Sequence, residues 1–518
     1  MANKHLFSSA ARRPPTANAT NEAGGKAYRL ADEHALAQYA ATGCFGNTFY
    51  SSQEDQLERV LDLARSCDDG FIARTAVYAR TKGHMKDMPA LLLAVLASRG
   101  SDWLEPAFDR VCDNGKMLRN FVQILRSGVT GRRSLGSRPK RLVKRWLSDR
   151  PASALLRASV GTSPSLADVI KMVHPTPPDA ERRALYGYLV GRPYDPDALP
   201  DIVKDYLAYK DGRSTHIPKV PFQLLTALSL DTSAWKQIAR DAGWQMTRMN
   251  LNTFARHGVF EDPDYVRMIA RRLASPKEVR RARVFPYQLM VAYTQLDERV
   301  PLAVREALQD AMEIAVANVP RTEGIVHVLP DISGSMHSAA TGSRPGATSV
   351  VRCIDVAALI AAAFLRTNPQ TNVLPFHDRV QRCTLNPRDS VMTNAERLSK
   401  LPSGGTDCSA PLARLNKDNA KGDLVVFVSD NQSWIDTNRR WNGGTAVMQQ
   451  WAKYKRRNPK AKMICVDIQP YATTQAPEQD DILNVGGFSD TVFDLMGSFI
   501  DNGIDPGHWV GEIESLAL

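Results

Sequence analysis

The spacing of the apolar residues changes near residue 320, and this change constrains the fold more than any other feature. After it, short β-rich apolar runs alternate with segments of helical pattern such as 349–366 and 445–457. The strand-like runs are GIVHVLP (324–330), TNVLPF (371–376), DLVVFVS (423–429) and KMICVDIQ (462–469). Strands that alternate with helices form a parallel, doubly wound sheet covered on both faces. Residues 321–518 are therefore predicted to form an α/β domain.

Before residue 320 the chain is predicted to be helical, with few strands. Residues 54–66 place apolar side chains at helical spacing, and residues 88–98 are apolar nearly all round, as in a buried helix. Breaks rich in Gly, Pro and Asp divide such segments. This rhythm is typical of stacked helical hairpins, although no fixed sequence period stands out. We predict a helical-repeat region over 28–320, preceded by a flexible polar tail at 1–27.

Length and composition limit the class of protein. A chain of 518 residues exceeds one ordinary core, so two or three domains are expected. The sequence has no apolar run long enough to span a membrane, and its N-terminus lacks the apolar segment of a secretory signal. Its seven cysteines are scattered and never form a CxxC pair, which argues against a disulfide framework or a zinc site. We therefore expect a cytoplasmic protein.

The excess positive charge lies in the helical region. The net charge is +11, yet residues 321–518 hold 20 Lys and Arg against 21 Asp and Glu. The first 320 residues hold 46 against 34, so they carry the whole excess. This asymmetry suggests a polyanion partner for the helical region alone.

Oxygen-bearing side chains gather where the predicted strands end. The first strand runs directly into DISGS, a later strand ends in VFVSD (426–430), and a GGTD loop (404–407) lies between them in sequence. In doubly wound sheets, ligands bind outside the carboxyl ends of the strands. Hard oxygen donors suit Mg²⁺, or another small divalent cation such as Mn²⁺. The candidate metal ligands are Asp331, Ser333, Ser335, Thr406 and Asp430.

These segments match, residue by residue, the metal-ion-dependent adhesion site of von Willebrand factor A domains. The resemblance implies that Ser333 and Ser335 bind the ion directly, whereas Asp331, Thr406 and Asp430 bind it directly or through water. In that family an acidic group from a partner typically fills the open coordination position. The alternative is a site that keeps these residues but stays empty or purely structural. Catalysis is not expected, because no His or Cys nucleophile pairing accompanies the cluster and its carboxylates are committed to the ion.

One segment of the helical region is strongly basic. Residues 116–145 contain ten Lys and Arg and no acidic residue. The GRRSLGSRPK stretch is predicted to be a loop, and KRLVKRW to open a helix whose four basic residues are expected to face one way. Such a helix start makes a good phosphate site, whereas the alternative is an ordinary solvated face. The candidate ligand-binding residues here are Arg132, Arg133, Arg138, Lys140, Arg141, Lys144 and Arg145.

The order of several motifs resembles the TROVE domain of Ro-type autoantigen proteins. The motifs are SLGSRPKRLVKRW (134–146), LADVIKMVHPTPPD (166–179) and RRARVFPYQLMVAYTQL (280–296). In that family a von Willebrand factor A domain follows the TROVE domain, which is the order predicted here. The resemblance implies HEAT-like helical hairpins that close into a monomeric ring, with the von Willebrand factor A domain helping to join its ends.

The resemblance also implies an RNA ligand. Small structured Y RNAs would bind the basic outer surface, and single-stranded 3′ ends of misfolded RNA would enter the central hole. Bacterial members are similar to subunits that tether an exoribonuclease to structured RNA. The family's RNA-binding histidine corresponds to His174, with Lys171 one turn before it, although from the residues alone His174 is an unremarkable helix-end residue. Because a basic rim holds RNA mainly through phosphates, affinity should fall steeply with salt.

Three functions remain open from the sequence. The first is a non-catalytic RNA-binding ring that acts in RNA quality control or as a scaffold for an exoribonuclease. The second is a protein-binding module in which the metal site captures an acidic partner and the basic helices are incidental. The third is a metal-dependent nuclease, although the sequence offers no second carboxylate cluster to share the work.

Overall fold

The chain folds into two compact units, each assembled from separate stretches of sequence. The computed structural model describes residues 14–43, 45–161, 163–282, 284, 286–317, 319–340, 351–434, 443–502 and 508–518. The sheet unit comprises Met1–Cys67, Ala274–Gln295 and Glu306–Ser515, and the helical unit comprises Asp68–Leu273, Leu296–Arg305 and Leu516–Leu518. Among the described residues, the helices are all too short or too polar to cross a membrane.

An N-terminal hairpin and two helices belong to the sheet unit. Their bounds are Ala19–Thr20 (β1), Lys26–Arg29 (β2), Asp32–Thr42 (α1) and Gln53–Ser66 (α2). β2 pairs antiparallel with β1 on one side and with residues 473–474 on the other. Of the predicted polar tail, residues 1–13 lie outside the described part of the chain. The rest of that segment contributes β1 and the turn into β2, so it is an ordered part of the sheet unit.

Short helices follow one another up to residue 315, as the apolar pattern predicts. Their bounds are Asp69–Thr81 (α3), Asp87–Arg99 (α4), Leu104–Val111 (α5), Gly115–Ser127 (α6), Ser137–Asp149 (α7), Ala152–Ala158 (α8), Leu166–Val173 (α9), Ala180–Val190 (α10), Asp201–Lys210 (α11), Phe222–Leu225 (α12), Thr232–Asp241 (α13), Trp244–Met249 (α14), Leu251–Arg256 (α15), Pro263–Leu273 (α16), Pro276–Ala282 (α17), Pro286–Thr294 (α18) and Leu302–Ala315 (α19). Every residue of α4 from Met88 to Ala97 is buried, and α4 packs against α3, α5 and α6. The helix that is apolar nearly all round is thus a buried one.

The main sheet of the sheet unit is parallel throughout. Its strands, with one strand of the N-terminal sheet, are Val326–Pro330 (β3), Thr371–Val373 (β4), Leu424–Ser429 (β5), Lys462–Asp467 (β6), Thr473–Thr474 (β7) and Ile482–Gly486 (β8). The order β4–β3–β5–β6–β8 places β3 and β5 side by side at the centre. All residues of β3, β5 and β8 are buried, which explains their unbroken apolar runs. The predicted fold class, a helical region followed by a doubly wound α/β domain, is confirmed.

Helices pack against the sheet and connect its parallel strands. Their bounds are Cys353–Thr367 (α20), Val391–Ser399 (α21), Ala410–Lys417 (α22), Ala446–Arg457 (α23), Asp490–Asn502 (α24) and His508–Glu514 (α25). α20 packs against β3, β4 and β5, and its residues from Cys353 to Leu365 are buried. Because the strands are parallel, the carboxyl ends of β3, β5 and β6 meet at one edge of the sheet.

The N-terminal hairpin should contribute measurably to stability through Asn21. The Asn21 side-chain amide donates to the Ser433 carbonyl oxygen, and its Oδ1 accepts from the Gly25 amide, each at 2.8 Å. Replacing Asn21 by Ala leaves two buried polar groups unpaired, so we expect a loss of roughly 1–3 kcal/mol in the free energy of unfolding, measured by urea titration. Asn18→Ala removes an exposed hydrogen bond of the same hairpin and should cost less than about 1 kcal/mol. Equal losses in the two variants would contradict this role.

Candidate functional site

The predicted metal ligands are all buried, and three of them lie in the turn after β3. Asp331 follows β3 directly, and Asp430 follows β5, the strand that pairs with β3. The Ser333 amide donates to Asp331 Oδ1 at 2.8 Å, and the hydroxyl oxygens of Ser333 and Ser335 are 3.2 Å apart. Each of these residues is at most 4% exposed, so the cluster is sheltered from solvent by the loops around it.

The glycine-rich loop brings Thr406 to the same edge of the sheet. The Gly334 amide donates to the Gly404 carbonyl oxygen at 3.0 Å, which ties this loop to the turn after β3. The Trp434 amide donates to the Thr406 carbonyl oxygen at 3.2 Å, which ties it to the loop after β5. These hydrogen bonds hold the three predicted segments together, while their role as metal ligands stays a prediction.

The cluster contains two buried carboxylates, those of Asp331 and Asp430. Burial, and then the charge of Asp430, raise the pKa of Asp331 to about 7, although Ser429 and Ser333 donate hydrogen bonds to it. Burial likewise raises the pKa of Asp430. Asp430 Oδ2 is buried and has no hydrogen-bond partner among the described residues. An unpaired buried carboxylate oxygen beside a second carboxylate is unfavourable unless a cation neutralises them.

The donor set fits a hard divalent cation. The described residues include no group of three or more His, Cys, Asp and Glu side chains that could hold a metal. A cation here would therefore rely on the two carboxylates together with the hydroxyl groups of Ser333, Ser335 and Thr406. Oxygen donors of this kind suit Mg²⁺ or Mn²⁺, whereas structural zinc sites use Cys and His.

The sequence analysis missed the N-terminal wall of this site. In the turn between β1 and β2, the Asn21 side chain donates to the Ser433 carbonyl oxygen, and the Glu22 amide donates to Gln432 Oε1 at 2.8 Å. These contacts hold the loop that follows Asp430. The only local signal was the turn-like sequence NEAGG, because strands of two and four residues are too short to show a period.

Within the helical unit, the basic residues of α7 divide between two flanks of the helix. The arginine flank consists of Arg138, Arg141 and Arg145. Arg138 lies 3.1 Å from a carboxylate oxygen of Asp102, and Arg145 lies 2.7 Å from those of both Glu105 and Asp109. The third arginine lies 3.6 Å from Glu105. The four basic residues from 140 to 145 share the face of α7 opposite its buried residues, but Arg141 and Arg145 are paired with acids of α5.

The lysine flank, Lys140 and Lys144, lies next to the arginine flank on α7. The two lysines are one turn apart, and Lys144 is also one turn from Arg141, so the two flanks lie side by side opposite the buried face that includes Leu142 and Trp146. Within the described part of the chain, neither lysine forms an ion pair with an acidic side chain. The lysine flank thus keeps its positive charge available to a ligand.

The loop before α7 contains two of the predicted residues, Arg132, which is hydrogen-bonded to the backbone, and Arg133, which is exposed. Arg132 donates to the Ala97 carbonyl oxygen near the end of α4 at 2.7 Å, so it caps that helix. Arg133 is exposed and lies against Gly128, the residue that ends α6 in a left-handed conformation. Of these two predicted residues, Arg133 is the more accessible to an anionic ligand.

Lys171 and His174 lie at the C-terminal end of α9, which packs against α7. Both side chains are exposed. His174 ends the helix in a left-handed conformation with φ of 50°, which is uncommon for a residue other than glycine. Such backbone geometry is found often at functional positions, because the surrounding structure must hold it in place.

The carboxylate cluster predicts a pH dependence for the protein without bound cation. Because the folded-state pKa of Asp331 lies above its ordinary value of 3.8, the folded state binds more protons than the unfolded state between about pH 4 and pH 7. The free energy of unfolding should therefore fall as pH rises through that range, by up to about 1.4 kcal/mol per pH unit for this group. Asp331→Asn should flatten the slope in EDTA, measured by chemical unfolding at several pH values. An unchanged slope would contradict this assignment.

The chain is similar to known proteins in both of its units. Residues 326–500 match the Ro60 vWA domain family. RNA-binding protein RO60 of Deinococcus radiodurans is 25% identical over 523 residues, which cover 92% of this chain and 94% of that protein. RNA-binding protein RO60 of Caenorhabditis elegans is 23% identical over 322 residues, which cover 58% of this chain and 48% of that protein.

The fold comparison extends over nearly the whole chain. The crystal structure of the Deinococcus radiodurans RO (RSR) protein matches with a TM-score of 0.60 and 21% identity, and the match covers 92% of this chain and all of that one. The similarity thus includes the helical region as well as the α/β domain. The chain is thus similar to Ro proteins over nearly its whole length, and its residues 326–500 match that family's von Willebrand factor A domain.

Proposed function

We propose that this chain is a non-catalytic RNA-binding protein whose helical unit holds RNA on the lysine flank of α7 and the end of α9. The observation that carries the proposal is the division of α7, which pairs its arginines with acids and leaves Lys140 and Lys144 unpaired. Lys171 and His174 extend this surface on the neighbouring helix. The Ro relatives of this chain are named as RNA-binding proteins, which supports the same ligand.

Phosphate groups supply most of the binding energy in this proposal. Lys140 and Lys144 present ammonium groups one turn apart. No side chain in the described part of the chain caps the start of the 13-residue helix α7, so the amides near Ser137 can donate hydrogen bonds to an anion. Such contacts position RNA without reading its sequence, so specificity would come from the shape of a stem beside a free end. The paired arginine flank stabilises the packing of α7 on α5 and takes little part in binding.

The finer role follows from the motif resemblance. We propose that the RNA is a small structured, Y-like RNA, and that single-stranded 3′ ends of misfolded RNA form a second class of ligand. The protein would act in RNA quality control in the cytoplasm, or as a scaffold that brings an exoribonuclease to structured RNA. We further propose that the helices form a monomeric ring, as the motif resemblance implies.

In the α/β domain we propose a Mg²⁺ site at Asp331, Ser333, Ser335, Thr406 and Asp430. A bound divalent ion would neutralise the buried carboxylates and offer a coordination position to an acidic group of a partner. The chain's own contribution is to hold the ligands in place, through the hydrogen bonds of Gly334, Ser429 and Trp434 described above. A protein-binding module is the alternative main function, and the unpaired oxygen of Asp430 is the observation that favours it.

The two flanks of α7 provide a matched test of the RNA surface. Lys140→Ala with Lys144→Ala should weaken binding of a small stem-loop RNA. The change removes two phosphate contacts, so the slope of log affinity against log salt should shrink by about 1.4 to 1.8. Arg141→Ala with Arg145→Ala removes the same charge from the paired flank. That variant should change the slope much less and should lower stability by no more than about 1 kcal/mol. Equal slope changes in both variants, measured by fluorescence anisotropy at several salt concentrations, would contradict the proposed surface.

Mutation of the proposed metal site should leave RNA binding unaffected. Mg²⁺ should raise the melting temperature of the wild-type protein, because it binds the folded state alone. Asp331→Ala should abolish this rise and leave stem-loop RNA affinity unchanged. Loss of RNA binding in a folded Asp331→Ala variant would show that this division is wrong. Capture of an acidic partner that requires Mg²⁺ and survives RNase treatment would favour the protein-binding module instead.

A further inference from the structure

A cleft with a volume of about 650 Å³ is lined by residues of α23, the turn before β8 and the N-terminal segment. One lining residue, Asp481, directly precedes β8, and its carbonyl oxygen accepts from the Met463 amide of β6 at 2.8 Å. Because these strands are parallel, the cleft lies at the amino-terminal edge of the main sheet, opposite the edge that carries the candidate metal ligands. A cleft of this size fits a small ligand or one unit of a polymer.

The floor of the cleft is apolar and is fixed by its neighbours. Met448 and Trp451 line the cleft and are 3% and 2% exposed. The Trp451 ring stacks on Tyr454 with centroids 5.6 Å apart, and its indole N–H donates to Asp481 Oδ2 at 3.3 Å. Lys455 Nζ lies 3.0 Å from the same oxygen. Both contacts use Oδ2, so Asp481 Oδ1 can still accept a hydrogen bond from a ligand.

One wall of the cleft comes from the N-terminal segment. Pro14 and Pro15 line it, and the Pro15 carbonyl oxygen accepts from the Tyr28 hydroxyl group at 2.7 Å. Gly444, just before α23, lies so close to this wall that a Cβ atom there would be 2.8 Å from Pro14 Cβ. The wall is thus preformed, and little ordering of the protein opposes the binding of a ligand.

The surface around the cleft is basic, although the α/β domain as a whole is not. Residues 451–463 contain six Lys and Arg and no acidic residue. Arg456 lines the cleft, Lys453 lies one turn before it on α23, and Lys460 follows the lining residue Pro459. All three basic side chains are exposed, and within the described part of the chain they form no ion pair with an acid. A ligand in the cleft would therefore meet uncompensated positive charge.

The polar lining suits the edge of a nucleobase. The Gln479 side-chain amide lines the cleft, can both donate and accept, and has no hydrogen-bond partner among the described residues. Asp481 Oδ1 adds an acceptor, the kind of group that binds the amino group of cytosine. Proteins bind unpaired nucleotides by hydrogen bonds to the base edge, together with Arg and Lys at the phosphates. A site for phosphate alone would need neither the apolar floor nor the amide.

We infer that this cleft binds an unpaired nucleotide of single-stranded RNA, with its base against the Trp451 floor and its phosphate at Arg456. The inference rests on the proposed function, in which RNA is the ligand, and adds a second contact site to the lysine flank of α7. It extends RNA contact to the α/β domain, for which the sequence predicts no polyanion partner. Because the cleft lies at the sheet edge away from Asp331, binding there should not require Mg²⁺.

Two single-stranded probes separate binding of the base from attraction by charge. One is an oligocytidylate of about six residues, and the other is a chain of the same length whose sugars carry no bases. The full-length wild type should bind the oligocytidylate roughly 10-fold more tightly, measured by fluorescence anisotropy, because only this probe can fill the cleft. Ala452→Phe obstructs the cleft without a change of charge and should abolish the preference. Gln479→Ala removes the free amide and should reduce it.

Two adjacent arginines of α23 provide a matched control for the phosphate contact. Arg456 lines the cleft, whereas Arg457 donates to Asn416 Oδ1 at 2.5 Å. Arg456→Ala should reduce the slope of log affinity against log salt for oligocytidylate by about 0.7, the loss of one phosphate contact on a single strand. Arg457→Ala removes the same charge and should leave that slope unchanged. Equal changes in the two variants would contradict a phosphate contact at the cleft.

Stem-loop RNA binding, measured in the same variants, separates this inference from the proposed function. Ala452→Phe should bind a small stem-loop as the wild type does. Equal wild-type affinity for the two single-stranded probes, or a preference that survives in both Ala452→Phe and Gln479→Ala, would overturn the cleft while leaving stem-loop binding intact. Cytidine 5′-monophosphate that binds as tightly as oligocytidylate would assign the cleft to free nucleotides and overturn the RNA ligand. A wild type that binds neither oligocytidylate nor stem-loop RNA would overturn the proposed function and the inference together.

Discussion

The burial of two carboxylates at the end of adjacent parallel strands is the constraint on which the α/β domain depends. β3 and β5 are paired in register, so Asp331 and Asp430 must leave the sheet at the same edge. Like charges in a medium of low dielectric constant repel strongly, and each must be met by hydrogen-bond donors, a proton or a cation. The serine hydroxyls and backbone amides that surround them satisfy part of this requirement. The unpaired Asp430 oxygen is the part that they leave unsatisfied.

On the helical unit, the number of charges matters less than their pairing. A thirty-residue segment without an acid looks uniformly basic, yet α7 packs beside α5, which supplies the missing acids from a different part of the sequence. Exposed ion pairs of this kind add little stability, but they remove charge from the surface that a polyanion would meet. The arginine flank of α7 is therefore neutralised by its acidic partners, whereas the lysine flank stays positive. A net charge for a segment describes neither flank.

Much of the fold could be predicted from the sequence because its signals are local. The buried strands show as unbroken apolar runs, the buried helix α4 as an all-apolar segment, and the metal motif as hydroxyl residues directly after a strand. β8 could not be predicted, because its five residues include Asn484 and a glycine, which are typical of turns. The pairing of Arg141 and Arg145 with acids of α5 could not be predicted either, because it depends on which helix lies alongside. Periodicity gives the positions on a helix, and only the packing partner gives their surroundings.

The N-terminal segment shows most clearly where local signals end. The hydrogen bond from Asn21 to Ser433 joins residues 412 positions apart, and the hydrogen bond from the Tyr471 hydroxyl group to Thr48 Oγ1 joins residues 423 positions apart. Neither contact leaves a mark in the composition or period of its own segment, which reads as polar loop. Closing such a long loop costs conformational entropy, so the interactions that close it must be specific and numerous. The Asn21 turn, the strand pairing of β2 with β7 and the Tyr471 support together meet that condition. The segment is therefore a structural wall of the candidate metal site, and α1 and α2 belong to the same unit as the strands of the main sheet.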